Sequence, residues 1–169
     1  HPLAAVQAAL DGRGKLSRSA LLTVDVSRSY PFGGKIDLLP GLADGLMLEH
    51  EDLLSIFGAS VTASPPARIG LDRFPHLADD VRILSAYLDA AGRAHQSGVN
   101  VLVHGRPGTG KSEFVRALVH AAGGTLMEIS SGEPSGAPLS GKARFESFRF
   151  AQSLLAGSDG AVLLFDEVE

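Results

Sequence analysis

Apolar residues recur at helical spacing in the second half of the chain. Between residues 78 and 94, Val81, Leu84 and Leu88 fall three and four positions apart, which places them on one face of a helix. Residues 113–122 and 142–156 show the same period, and each ends close to a glycine. The pattern therefore predicts three amphipathic helices in this part of the chain.

Short apolar runs separate these predicted helices. Residues 99–103, 125–129 and 161–165 are rich in Val, Ile and Leu and have the length of buried strands. Strands that alternate with helices are typical of a parallel sheet in an α/β architecture. We therefore expect a parallel sheet with flanking helices, preceded by residues 1–61, whose short periodic pieces predict a small and mostly helical domain.

Two features in the first part of the chain set the predicted boundaries. Residues 3–10, 38–48 and 51–57 are the helices that we expect there. Pro65 and Pro66 then form a double proline among small residues, which can continue neither a helix nor a central strand. We place a linker over the residues around this pair.

Composition and charge exclude several classes of protein. The chain has 44% hydrophobic and 20% charged residues, which is ordinary globular composition, and no cysteine for a disulfide or a thiolate metal site. Its net charge of -4, from 15 basic and 19 acidic residues, gives no indication of a nucleic-acid or anionic membrane partner. No apolar run is long enough to span a membrane, and we expect a cytoplasmic protein.

A glycine-rich loop is the strongest chemical signal in the sequence. The pattern G-x-x-x-x-G-K-[ST] is matched by Gly105, Arg106, Pro107, Gly108, Thr109, Gly110, Lys111 and Ser112, between a predicted strand and a predicted helix. Its glycines let backbone N–H groups face phosphate oxygens, and the helix adds its positive end. Lys111 supplies charge for the β- and γ-phosphates, and the hydroxyl of Ser112 suits Mg²⁺. Glu113 follows and completes the set of predicted nucleotide-binding residues.

Two carboxylates follow the last apolar run. Asp166 and Glu167 come directly after residues 161–165, and the carboxyl ends of parallel strands meet at one edge of a sheet. Asp166 is predicted to hold the metal ion and Glu167 to activate the attacking water as a general base. The predicted catalytic residues are Glu167 and Lys111.

The loop GRPGTGKS and the strand end LLFDE together resemble the AAA+ ATPases. The resemblance covers about residues 71–169, so we predict an accessory domain at 1–61, a linker at 62–70 and the N-terminal portion of the ATPase module after it. It implies ATP or ADP and Mg²⁺ as ligands, and residues 70–77 at the position of the family's linker that packs on adenine. It also implies self-association into a ring that remodels a macromolecule.

The sequence departs from this family in two ways. Residues 130–139 lack the aromatic residue of a peptide-threading pore loop. A further strand, which the family places between the strands at 99–103 and 161–165, is absent, as are the arginine finger and the helical lid. We therefore expect the 169 residues to be a fragment, weakly active or inactive alone.

The predicted function is Mg-ATP hydrolysis that powers remodelling of a macromolecular partner, with a protein favoured over nucleic acid. One alternative is a nucleotide-gated interaction module with little turnover, although a pure binder does not need Glu167. Another is a DNA-acting ATPase or helicase loader, which the acidic balance of the chain disfavours.

Overall fold

The computed structural model describes residues 2–25, 27, 31–47, 49, 54–96, 98–132, 136–158 and 160–166. Its helices are α1 (Leu3–Leu10), α2 (Lys15–Arg18), α3 (Leu42–Met47), α4 (Ala78–Arg93), α5 (Lys111–Ala121) and α6 (Gly141–Leu154). Its strands are β1 (Leu22–Val24), β2 (Ile36–Leu38), β3 (Val61–Ala63), β4 (Thr125–Ile129) and β5 (Ala161–Leu164). None of the helices in these ranges is long and apolar enough to cross a bilayer.

The chain divides into two compact units. One comprises His1–Thr62 and Ile129–Ala156, and the other comprises Ala63–Glu128 and Gly157–Glu169. The structure thus groups the segment that contains α6 with the N-terminal residues. The domain boundaries expected from the sequence stay a prediction.

The first unit contains short helices and an antiparallel strand pair. Strands β1 and β2 pair with Thr23 opposite Asp37, and Leu39, directly after β2, is almost fully buried. Helix α3 packs closely on the 3₁₀ turn Ser55–Phe57, because Gly45 has no side chain to keep the two apart. A Cβ atom at Gly45 would lie 2.3 Å from the carbonyl oxygen of Ile56.

Helix α6 completes the core of the first unit. The ring of Phe150 lies 4.5 Å, centroid to centroid, from that of Phe57, and Phe150 and Ala151 are buried. The hydroxyl of Ser60, also fully buried, donates a hydrogen bond of 3.0 Å to the carbonyl of Pro40. Residues far apart in the chain therefore share one core.

A three-stranded sheet with the order β3-β4-β5 supports the candidate site. Strands β4 and β5 run parallel, with Glu128 opposite Leu164, as the sequence predicted. Strand β3 was not predicted, and it runs antiparallel to β4: Ser64 donates its N–H to Leu126, and Ser130 donates to Ser60. The next backbone donor toward β4 would be residue 66, and Pro66 has no N–H, so the edge strand ends before it.

The core of the second unit lies between α4, α5 and the segment before α4. Phe74 and Phe114 meet edge-on with their centroids 5.4 Å apart, and Leu118 joins them. Val81, Leu84 and Leu88 of α4 pack against this cluster, so the predicted apolar face of that helix is confirmed. The residues packed around the three buried side chains are Leu71, Leu77, Val81, Leu84, Leu88 and Val115.

The predicted strand at residues 99–103 is wrong. Residues 98–106 have no regular secondary structure, and the side chain of Leu102 is 80% exposed. A strand forms only beside a hydrogen-bonded neighbour, and neither sheet of the described residues pairs with this segment. Within the sheet, the resemblance places a further strand between the strand expected at 99–103 and β5. The sheet of the described residues, β3-β4-β5, contains no such strand.

Other predicted bounds also change. The helix expected at 38–48 is limited to α3, because Leu38 ends β2 and Pro40 and Gly41 form a turn before the helix. The helix expected at 51–57 is described only from residue 54 onward, where it is a 3₁₀ turn. Helix α5 begins two residues before its predicted start, and β5 ends one residue before its predicted end.

Candidate functional site

The glycine-rich loop, residues 105–110, leads into α5 through a series of positive φ angles. The φ angles of Gly105, Gly108 and Gly110 are 152°, 77° and 85°, a region that residues with a Cβ rarely adopt. The hydroxyl of Thr109 donates a hydrogen bond of 2.9 Å to the carbonyl of Arg106, which closes the turn between them. The local backbone geometry thus agrees with the tight curl that the glycines were predicted to allow.

Lys111, the first residue of α5, folds back over this loop. Its Nζ atom donates hydrogen bonds of 3.2 Å to the carbonyl oxygens of Gly105 and Arg106. These two carbonyls hold the ammonium group next to the loop's concave backbone. An anion bound there offers the ammonium group stronger partners than neutral carbonyls do.

The side chains of Ser112 and Asp166 meet beside the loop. Ser112 lies in the first turn of α5 and Asp166 lies two residues after the last residue of β5, and the Ser112 hydroxyl donates to Oδ2 of Asp166 over 2.5 Å. These are two hard oxygen ligands at one point. Mg²⁺ takes one or two such protein ligands and completes its shell with water and phosphate oxygens, so the pair fits that ion. No cluster of three or more His, Asp or Glu side chains suited to a metal occurs in the described ranges.

Phe74 supports the loop from the core side. A Cβ atom at Gly110 would lie 3.4 Å from Cε1 of Phe74, so the ring is in contact with the point where the loop becomes helix. Phe74 is only 6% exposed and is held by Phe114, one turn into α5. The loop therefore rests on a packed aromatic pair.

A network of charged side chains joins the linker, residues 62–70, to α5 and β4. Arg116 makes two hydrogen bonds to Glu128, from Nε at 2.7 Å and from Nη2 at 3.0 Å, and a third to Glu113 from Nη1 at 2.7 Å. The linker also donates a hydrogen bond to each of these carboxylates. The hydroxyl of Ser64 donates to Oε1 of Glu128 over 2.5 Å, and the N–H of Arg68 donates to Oε2 of Glu113 over 2.7 Å.

The pKa values of these groups reflect the same contacts. Hydrogen bonding to Arg116 holds the pKa of Glu128 below its ordinary value, although burial and the nearby charge of Asp166 act in the opposite direction. The N–H of Arg68 and then the guanidinium of Arg116 lower the pKa of Glu113. The two carboxylates, with Glu128 first, raise the pKa of Arg116. All three groups are therefore charged at neutral pH.

A cavity of about 310 Å³ opens between the linker and the second half of α5. Its lining from the linker side includes Ala67, Ile69 and Gly70, and α5 contributes Ala117 and His120. The lining is mostly apolar with one imidazole, and its volume is at the lower end of the range of small-molecule sites.

The structure brings together most of the residues that the sequence singled out. The glycine-rich loop, Lys111, Ser112, Glu113 and Asp166 surround one end of α5 and the end of β5. Glu167 lies outside the described residues, so its predicted place beside Asp166 is untested.

Sequence reasoning missed the charged network. Two signals point to it: a glutamate inside the apolar run of β4, and the three-residue spacing of Glu113 and Arg116 on a helix. Neither signal identifies the partner, because the contact between Arg116 and Glu128 joins two different elements.

Comparison with family models found a match in the second half of the chain. Residues 101–169 match the model described as ATPase family associated with various cellular activities (AAA). Comparison with curated proteins gave no match, and neither did comparison with solved structures. The match covers the glycine-rich loop, α5, β4, α6 and β5, which confirms the resemblance for this part of the chain.

Proposed function

We propose that this protein binds Mg-ATP at the glycine-rich loop and hydrolyses it, a proposal supported by the match of residues 101–169 to the AAA ATPase family model. The observation that carries the proposal is the meeting of Ser112 and Asp166 at the mouth of that loop. Two oxygen ligands beside a helix N-terminus and a lysine form a set suited to a metal-bound triphosphate.

Each residue of the loop has a defined task in this proposal. The N–H groups of residues 108–112 bind phosphate oxygens, and the left-handed glycines keep the backbone close enough for several N–H groups to act at once. Lys111 exchanges the carbonyls of Gly105 and Arg106 for phosphate oxygens, where its charge stabilises the negative charge of the transition state.

The carboxyl end of β5 supplies the remaining groups. Ser112 and Asp166 hold Mg²⁺, directly or through water, and this ion supplies charge neutralisation at the β- and γ-phosphates when it is bound. Glu167 follows Asp166 in the sequence as the second carboxylate after β5. Glu167 accepts the proton of the attacking water in this proposal, while Asp166 serves the metal.

The cavity between the linker and α5 is the proposed site of the adenine base. Gly70 and Leu71 contribute to its lining. Both belong to residues 70–77, the segment that the family resemblance implies packs on adenine. Ala117 lies six residues beyond Lys111, about 9 Å along the helix axis at 1.5 Å per residue, so phosphates and base can lie along one helix.

The wider function is proposed on the family match alone. We take the ATPase to work as a ring of subunits that remodels a protein partner in the cytoplasm, where Mg-ATP is available. Sedimentation of the full-length protein with and without ATP tests the ring. An unchanged monomer in both conditions would contradict it.

Hydrolysis is tested with Glu167→Gln in the full-length protein. The variant is expected to bind ATP as before and to lose turnover, because the amide cannot accept the proton of the attacking water. Glu169→Gln is the matched control, with the same change two positions later. Phosphate release measures turnover, and retained turnover in Glu167→Gln excludes the role given to that residue. Binding without turnover in the unaltered protein favours a nucleotide-gated module instead.

A further inference from the structure

Arg116 is the centre of the charged network and is not itself part of the glycine-rich loop. Its side chain is 19% exposed and makes hydrogen bonds to two carboxylates, one on its own helix and one on β4. Three hydrogen bonds to carboxylates from one guanidinium use the fixed fork of that group. An arginine held in this way keeps both carboxylates in fixed positions.

The linker donates one hydrogen bond to each of these two carboxylates. Glu128 accepts the hydroxyl of Ser64 near the start of the linker, and Glu113 accepts the N–H of Arg68 near its end. The residues between these two points include Ala67, which lines the cavity, and Ile69 and Gly70 follow directly. The position of this wall of the cavity is therefore set by carboxylates that Arg116 holds.

We propose that Arg116 is a positioning residue that fixes the linker across the base-binding cavity by holding Glu113 and Glu128. This inference rests on the proposed function, since it assigns Arg116 to the base end of the nucleotide site. The glycine-rich loop is held separately, by Phe74 beneath Gly110 and by its own hydrogen bonds. Loss of Arg116 consequently affects the base and leaves the phosphates in place.

The test compares two ligands, ATP and inorganic tripolyphosphate, each with Mg²⁺ and each titrated calorimetrically into the full chain. Tripolyphosphate engages the loop and has no base. In Arg116→Met, ATP binding is expected to weaken about tenfold, a loss typical for removal of a supporting partner, while tripolyphosphate binding changes by less than about twofold. Arg116→Lys keeps the charge without the fork and is expected to lie between the unaltered protein and Arg116→Met.

Arg82→Met is the matched control. Arg82 pairs with Asp79 at the same three-residue helical spacing, but its side chain is 73% exposed and far less constrained. We expect both ligands to bind this variant as they bind the unaltered protein.

A second measurement follows the linker directly and needs no nucleotide. Trypsin cleaves after arginine, and Arg68 lies exposed in the linker. We expect cleavage after Arg68, identified by mass spectrometry, to accelerate about fivefold in Arg116→Met because the local opening that exposes the bond becomes easier. Arg82→Met is expected to leave this rate unchanged.

Ser64→Ala provides a second variant in case Arg116→Met does not fold. It removes the linker's hydrogen bond to Glu128, together with the local one from the same hydroxyl to the carbonyl of Pro65, and leaves the three hydrogen bonds of Arg116 in place. A smaller loss of ATP affinity, about threefold, with tripolyphosphate binding retained supports the inference.

Two kinds of negative result distinguish the role of Arg116 from the proposed function. If Arg116→Met binds ATP as the unaltered protein does, or loses ATP and tripolyphosphate equally, the positioning role is excluded while the proposed function stands. If the unaltered protein binds neither ligand, the proposed function fails, and the inference fails with it.

Discussion

The hydroxyl of Ser112 lies 2.5 Å from Oδ2 of Asp166, although 54 positions separate the two residues in the chain. Ser112 lies in the first turn of helix α5, and Asp166 lies two residues after strand β5. In the proposed function, this pair holds the metal ion of the nucleotide.

Asp166→Asn tests that relationship. The amide keeps the size of the carboxylate and removes its charge, so it binds Mg²⁺ poorly. We expect ATP affinity measured in EDTA to stay the same and the gain in affinity on adding Mg²⁺ to fall about tenfold. Asp80→Asn, an exposed change in the first turn of α4, is the control. A full Mg²⁺ effect in Asp166→Asn would show that the carboxylate does not hold the ion.

Gly110→Ala tests the left-handed backbone at the point where the loop becomes helix. The φ angle of Gly110 is 85°, which a residue with a Cβ atom rarely adopts, so we expect a loss of about 2 kcal/mol in the free energy of unfolding. The added methyl group would lie 3.4 Å from Cε1 of Phe74, an ordinary contact distance that does not relieve this strain. Gly92→Ala is the opposite case: Gly92 lies in α4 with open space around it, and alanine there is expected to stabilise by about 0.5 kcal/mol. Chemical denaturation measures both. Equal effects in the two variants would contradict the assigned strain.

The pair Arg116–Glu128 gives the stability a defined dependence on pH. Glu128 has a lowered pKa in the folded protein, so its pairing stabilises fully above the unfolded-state pKa of 4.5 and is lost as the pH falls through the lower folded-state value. At pH 7 we expect Arg116→Met to cost about 2 kcal/mol in the free energy of unfolding. Arg82→Met is expected to cost less than about 0.5 kcal/mol, because its pair is exposed.

Denaturant titrations from pH 7 down to about pH 3 measure this dependence. The difference between Arg116→Met and the unaltered protein is expected to shrink below pH 4.5, because protonation of Glu128 weakens the pairing in the unaltered protein and the variant has no such pairing to lose. Besides Arg116, the groups that act on Glu128 are Ser64 and Asp166. A difference that stays constant over the whole range would mean that Arg116 acts by packing instead.

Ser147→Ala tests a buried polar group in the first unit. The hydroxyl of Ser147 is fully buried in α6 and has no hydrogen-bond partner within the described ranges. Its removal avoids an unsatisfied polar atom and improves helix propensity, so we expect a gain of about 1 kcal/mol in the free energy of unfolding. Ser153→Ala, an exposed change on the same helix, should gain less than about 0.5 kcal/mol. A destabilised Ser147→Ala would indicate a partner for this hydroxyl.

The sequence predicted the elements whose pattern is local and periodic. Helix α4 and strand β4 lie where their apolar spacing placed them, and the glycine-rich loop has the backbone its glycines allow. The strand expected at 99–103 was wrong, since a strand depends on a neighbour as well as on its own residues. The edge strand β3 was missed for the same reason, because its three residues carry no pattern of their own.

In the candidate site, too, the residues of a local motif were predicted and the contacts between distant residues were not. Lys111 and Ser112 belong to a motif that is read from consecutive residues, and both lie beside the loop. The network around Arg116 depends on contacts among three segments that are distant in sequence, and charge alone does not indicate which glutamate an arginine reaches.

The contact between Phe57 and Phe150 bears on how the chain folds during synthesis. Ribosomes make the chain from its N-terminus at about 5–20 residues per second, so the two rings are separated by several seconds of translation. Until α6 leaves the ribosome, Phe57 lacks its aromatic partner. The N-terminal residues therefore complete their core only after α5 and β4 have been made, and they are exposed to chaperones in the meantime.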